Sequence, residues 1–200
     1  MARAEKSEPV AIGMRVKTGR ATAVILSGPA SAPIVLARKS IQLYDSAIPA
    51  SHQPYHAELE LPPSESARIV PLALEAVDRV SLDALKTLVN EVRKSHRSIS
   101  AVALVAGSAT DPESIRNPHM RAHAREGQLF PRALARAAKQ LRIPATTIVE
   151  ADTFAKAATA LHKTPATFKN DIAELGRPVG KPWGMEEKTA AAAAWLALAG

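Results

Sequence analysis

His119, His123 and Glu126 combine residue types and a spacing that could do chemistry, as a His-x-x-x-His-x-x-Glu pattern. On a helix, residues three and four apart are neighbours, so these side chains sit near one face. Two imidazoles one turn apart can grip a divalent metal, with the carboxylate as third ligand or general base. The same stretch also suits a solvated helix start in a basic setting, since Arg116, Arg121 and Arg125 interleave with it. An enzyme reading takes Glu126 and His123 as an acid–base pair and Glu187 as a further cleft carboxylate. Its substrate would be an anionic or phosphorylated small molecule.

A second group is cationic. Arg15 and Lys17 project from the same side of a strand, and Arg20 follows a Thr18-Gly19 break. If that side faces a cleft, the three can bind phosphate. If the segment is a sheet edge, they are ordinary solvated charges. The run from Gly176 to Gly184 holds several glycines and two cations, but it lacks the Gly-x-x-x-x-Gly-Lys-Ser/Thr pattern and follows no strand. It reads as a rigid linker that holds Trp183 against the body. No Gly-x-Ser-x-Gly or dinucleotide fingerprint occurs. With no cysteine in the chain, disulfides, thiolate zinc sites and cysteine nucleophiles are excluded.

The elements that must position these residues come from a chain of 200 residues, 46% hydrophobic and 22% charged, long enough for a sizeable core. At 4% aromatic content, that core must be built from Ala, Val, Leu and Ile. A net charge of +7 favours acidic partners, DNA or RNA first among them, because phosphate backbones reward Lys and Arg through counterion release. No apolar run approaches the ~20 residues of a membrane-spanning helix. The expectation is a cytoplasmic protein without a membrane partner.

Residues 1–10 read as a disordered tail, and 11–200 as a single α/β domain. Strands are expected over Ile12–Val16, Ala21–Leu26 and Pro33–Leu43, an antiparallel meander. Residues 52–63 read as a loop with a short extended piece at His56–Leu61. A long helix follows from Ser64 to about Ser95, closed by Arg93, Lys94, His96 and Arg97, with a break near Ser81 as one option. Ser100–Ala106 is a near-continuous apolar run, as in a parallel strand covered on both faces. Pro118–Arg142 reads as a helix in which Gly127 allows close packing on the sheet and turns Glu126 toward the strand ends. A strand over Ala145–Glu150 and helices at Thr153–Leu161, Pro165–Leu175 and Met185–Leu198 complete the order.

That order, a three-stranded antiparallel meander followed by alternating helices and parallel strands, resembles the ribonuclease H-like superfamily and its Holliday-junction resolvase-type domains. Ile12-Gly13-Met14-Arg15, then Thr18-Gly19-Arg20-Ala21-Thr22-Ala23-Val24, is similar to the opening hairpin of those proteins. Glu186-Glu187-Lys188-Thr189 before an alanine run resembles their last helix. The resemblance implies a mixed sheet and two metal ions held by acids from the first strand, the fourth strand and the last helix. Arg15 stands where the first acid is expected, where a cation would repel a metal. The fourth strand offers Leu104-Val105-Ala106-Gly107, and no acid appears before Asp111 and Glu113. Only Glu186 or Glu187 matches the pattern. The resemblance therefore implies a nucleic-acid-associated protein without the two-metal nuclease site. A glutamate of this pair beside Arg15 would mean a salt bridge in place of metal ions.

Overall fold

The computed structural model describes residues 8–94 and 98–200. Its centre is a hairpin of β1 (Pro9–Lys17) and β2 (Arg20–Ser27), paired antiparallel in a register that sets Lys17 opposite Arg20. Thr18 and Gly19 form the two-residue turn. Gly19 has φ +70°, and a Cβ there would lie 2.4 Å from the His52 ring, so both backbone and space demand glycine. β3 (Ile34–Gln42) pairs antiparallel with β2, while β4 (Ser98–Ala106) and β5 (Ala145–Val149) are parallel additions beside β1. The five-stranded sheet has the order β3-β2-β1-β4-β5.

Alternation along β1 assigns its side chains to two layers. Val10, Ile12, Met14 and Val16 enter a core with α2 (Pro63–Lys94) and α3 (Pro118–Gln140). Gly13 and Arg15 point to the opposite face, covered by α6 (Met185–Ala199) with α4 (Glu150–Ala160) and α5 (Pro165–Leu175) beyond it. The alanines from Ala190 to Ala194 are completely buried there. Their small size lets α6 sit so close that a Cβ on Gly13 would lie 1.9 Å from the Ala190 carbonyl oxygen. The glycine of the opening strand is thus a helix-docking device. Trp183 packs on Gly176 and donates its Nε1–H to the Ile172 carbonyl at 2.9 Å, fixing the segment before α6. Arg38, on β3, donates to the carbonyls of Gly180, Lys181 and Pro182 in the same segment.

Several boundaries differ from the sequence reading. Most of the tail expected over residues 1–10 lies outside the described residues, as do His96 and Arg97. Pro9 and Val10 belong to β1, where Val10 is fully buried and paired with Ser27 and Ile99. The piece expected to be extended at His56–Leu61 is instead α1 (Pro54–Glu60). Pro54 presets the first helical turn, Ala57 to Glu60 are good helix formers, and Pro62 turns Leu61 out of the helix. α2 runs unbroken through Ser81, which is buried. Gly127 does not pack on the sheet, since a Cβ added there would meet nothing within 4 Å. β5 stops at Val149, and Glu150 is already the first residue of α4, with no linker between strand and helix. Among the described residues no helix is long and apolar enough to cross a membrane.

Candidate functional site: ion pairs at the strand ends and an imidazole cluster

The carboxyl ends of β1, β4 and β5, with the start of α6, form the edge at which open α/β sheets place their ligands. Arg15, near the end of β1, is only 7% exposed. Its Nε and Nη2 bind Oε1 and Oε2 of Glu150 at 2.6 and 2.5 Å, a bidentate pair, and Nη1 donates to the Val16 carbonyl. Glu150 can reach because it opens α4 directly from the end of β5. The helix N-terminus there also favours its negative charge.

On the same face, Glu186 in the first turn of α6 collects the remaining charges of the hairpin. Arg20 binds it through both terminal nitrogens at 2.6 and 2.8 Å, Lys17 Nζ lies 2.6 Å away, and the Thr22 hydroxyl donates at 2.9 Å. Hydrogen bonds from Arg20 first and Lys17 next hold the Glu186 carboxyl well below the usual glutamate range. Glu187 turns the other way and accepts the Gly184 backbone N–H at 2.8 Å, closing the start of α6. Two acids do stand at this edge, each already bound to a cation from β1 or β2. Glu150 is bound by the Arg15 guanidinium and Glu186 by Arg20, Lys17 and Thr22, so both carboxylates are already spent on hydrogen bonds.

The second constellation lies on the opposite face, between α1 and α3. Glu126 is fully buried. Its carboxylate faces His56 of α1, with Nδ1 2.9 Å from each oxygen and the His56 backbone N–H 3.2 Å from Oε1. The His119 and His123 rings lie 4.8 and 4.3 Å from the His56 ring, centroid to centroid, and 4.6 Å from each other.

Set against the sequence, the structure brings His119, His123 and Glu126 into one cluster, but Glu126 bonds His56 and faces α1. Glu187 is on the other side of the sheet, so the cleft of Glu126, His123 and Glu187 required by a small-molecule enzyme is not formed. Glu126 is moreover sealed from solvent. Arg15, Lys17 and Arg20 do share one face, yet Arg15 is buried and bound to Glu150, which leaves it no free donor fork for a phosphate. The partner of Arg15 is neither Glu186 nor Glu187. Sequence reasoning missed Glu150, Thr22 and His56. An acid directly after a β-branched strand was a usable signal for Glu150. His56 carried none, because its role exists only through its packing on α3.

Sheet order and flanking helices define a ribonuclease H-like fold. The chain is similar in structure to Thermus thermophilus RuvC, with a TM-score of 0.51, 12% identity and coverage of 94% of this chain and 92% of that one. For T. thermophilus RuvC in complex with a Holliday junction substrate the values are 0.50, 11%, 94% and 90%. The yeast mitochondrial Holliday junction resolvase Ydc2 aligns at 0.48, with 10% identity over 94% of this chain and 76% of that one. No protein-family model matches the sequence, and no curated protein matches it.

Proposed function

We propose that this chain is a nucleic-acid-associated protein of ribonuclease H-like fold in which ion pairs replace metal-ligand chemistry at the strand ends. The observation that carries the reading is the pair of locks Arg15–Glu150 and Lys17/Arg20–Glu186. A divalent cation would have to displace a guanidinium from each carboxylate, which is uphill for the buried Arg15. The edge is therefore unsuited to activating water against a phosphate backbone. Lys17 and Arg20 remain 42% and 46% exposed and can turn toward a phosphate.

A longer contact surface supports the same reading. Arg121, Arg125, Arg132, Arg136 and Lys139 fall within about 60° of arc on α3, a stripe about 27 Å long at helical rise. Glu113, Glu58 and Asp78 pair with Arg125 and Arg136, so the stripe is tempered without being cancelled. The fold neighbour solved with a Holliday junction makes branched DNA a natural first ligand to try.

The test is binding of four-way junction, duplex and single-stranded DNA and RNA by anisotropy as salt rises from about 0.05 to 0.3 M. Binding should weaken steeply with salt, and Arg132→Glu combined with Lys139→Glu should reduce affinity about tenfold or more. No strand cleavage should appear with Mg²⁺ or Mn²⁺. Absence of salt-sensitive binding would overturn the nucleic-acid reading, and metal-dependent cleavage would overturn the account of the strand ends.

A further inference from the structure

We infer that His56, His119 and His123 form a binding site for one first-row divalent cation, Zn²⁺ above all, oriented from behind by Glu126. The observation that goes beyond the spacing on α3 is His56. Its side chain is only 8% exposed, and its Nε2 is a buried polar atom without a hydrogen-bond partner among the described residues. On the other side of the ring, Nδ1 lies against the Glu126 carboxylate, which accepts its N–H. A carboxylate only accepts, so Nδ1 is the donor in that contact and Nε2 is the ring nitrogen on offer to a metal. The rings of His119 and His123 pack against that of His56, with centroids 4.8 and 4.3 Å from it. Ligand atoms of the three histidines all lie within 4.8 Å of one another, and the His119 and His123 Nε2 atoms are 3.1 Å apart.

The chemistry of this donor set is specific. Three neutral imidazoles suit Zn²⁺ and its neighbours and are a poor match for the hard, oxygen-seeking Mg²⁺ or Ca²⁺. Nitrogens bound to one tetrahedral zinc are roughly 3.3 Å apart. His119 and His123 already approach that spacing. Both are exposed, so rotation about their side-chain bonds can bring their lone pairs toward His56 without disturbing the core. Their solvent side leaves the fourth position to water. A carboxylate on the far nitrogen of a ligating histidine is the usual means of fixing its tautomer and raising its basicity.

Charge balance points the same way. Among the described residues Glu126 is buried with no hydrogen-bond donors other than those of His56, which is sparse support for a desolvated carboxylate. A dication on the opposite nitrogen of the same ring supplies the missing positive charge. The site lies on the face of the sheet away from the ion pairs, so it does not depend on the account of the strand ends.

The experiment is a titration of chelator-treated full-length protein with Zn²⁺ against a chromogenic chelator, with Co²⁺ absorption as a second readout. One cation per chain is expected, with an intense visible Co²⁺ band typical of tetrahedral coordination. Zn²⁺ at about a hundredfold above Kd should raise Tm by roughly 5–10 °C. His119→Ala with His123→Ala, at exposed positions the fold does not need, should weaken binding at least a hundredfold and abolish the band. Glu126→Gln should weaken it about 10- to 100-fold, while His162→Ala should leave it unchanged. Failure of the wild-type chain to bind, or equal binding by the His119/His123 double variant, would overturn the assignment.

Discussion

Neutralising Arg15 and Glu150 one at a time should reveal an asymmetry that follows from their burial. The guanidinium is 7% exposed and the carboxylate 39%. Glu150→Gln leaves the cation in place and nearly dry, its remaining hydrogen-bond partners among the described residues being the Val16 carbonyl and a neutral amide. Breaking a buried pair in this direction costs about 3 kcal/mol. Arg15→Met removes the buried charge and keeps most of the side-chain volume, and the freed Glu150 is half in water, so the loss is about 1 kcal/mol. The double variant should resemble Arg15→Met, which gives a coupling energy of about 3 kcal/mol. In a chain of this size that corresponds to Tm falls of roughly 6–12 °C for Glu150→Gln and 2–4 °C for Arg15→Met. Urea denaturation of the four proteins, read by linear extrapolation, measures the cycle. Equal losses from the two single variants, or a coupling below about 0.5 kcal/mol, would refute the assignment of Arg15 as a charge held in place by Glu150.

Two glycines should respond in opposite directions to alanine. Gly13→Ala drives a methyl into the backbone of α6 and should destabilise by about 3 kcal/mol or more, whereas Gly127→Ala fills open space on a helix and should stabilise by up to about 1 kcal/mol. Thermal melts decide both, and a neutral Gly13→Ala would mean that α6 does not sit as close as described. Glu186 should make stability acid-sensitive. Its folded-state pKa lies below the unfolded value near 4.5, so its contribution is complete above that value and is lost as pH falls below it. Glu186→Gln should cost about 1–2 kcal/mol at neutral pH, with Lys17 and Arg20 partly screened by solvent. The gap from wild type should shrink between about pH 5 and pH 3, and a gap independent of pH would count against the network.

The sheet was legible in the sequence because its signals are local: a Thr-Gly break between two apolar runs, an unbroken apolar run at Ser100–Ala106, and helical periodicity over Ile69–Val92. The ends of elements were harder to place. Val149 and Glu150 look like one strand by composition, and only the packing of α4 decides that the helix begins at the acid. The His119–His123–Glu126 spacing was visible as a helix face. Its third imidazole was not, because His56 lies in a short helix whose proline- and glutamate-rich surroundings resemble a loop. That a cation stands near the end of the first strand was apparent from the hairpin, while the identity of its partner required the tertiary structure. Gly127 misled for a related reason: a glycine within a helix marks a close approach only if that face is turned inward, and here it is not.

The charges of β3 also bear on what the protein does in company. β3 is an outermost strand, with one side of its backbone unpaired by the sheet. Arg38 on one face is committed to the carbonyls of residues 180–182, and Lys39 on the other is committed to Glu91 of α2. A second polypeptide adding a strand beside β3 would meet a rim flanked by two engaged cations, with their covering segments folded over it. Such charged rims discourage edge-to-edge growth of sheets. In a sequence this rich in alanine, valine and leucine, those two residues help keep the sheet from extending into an aggregate.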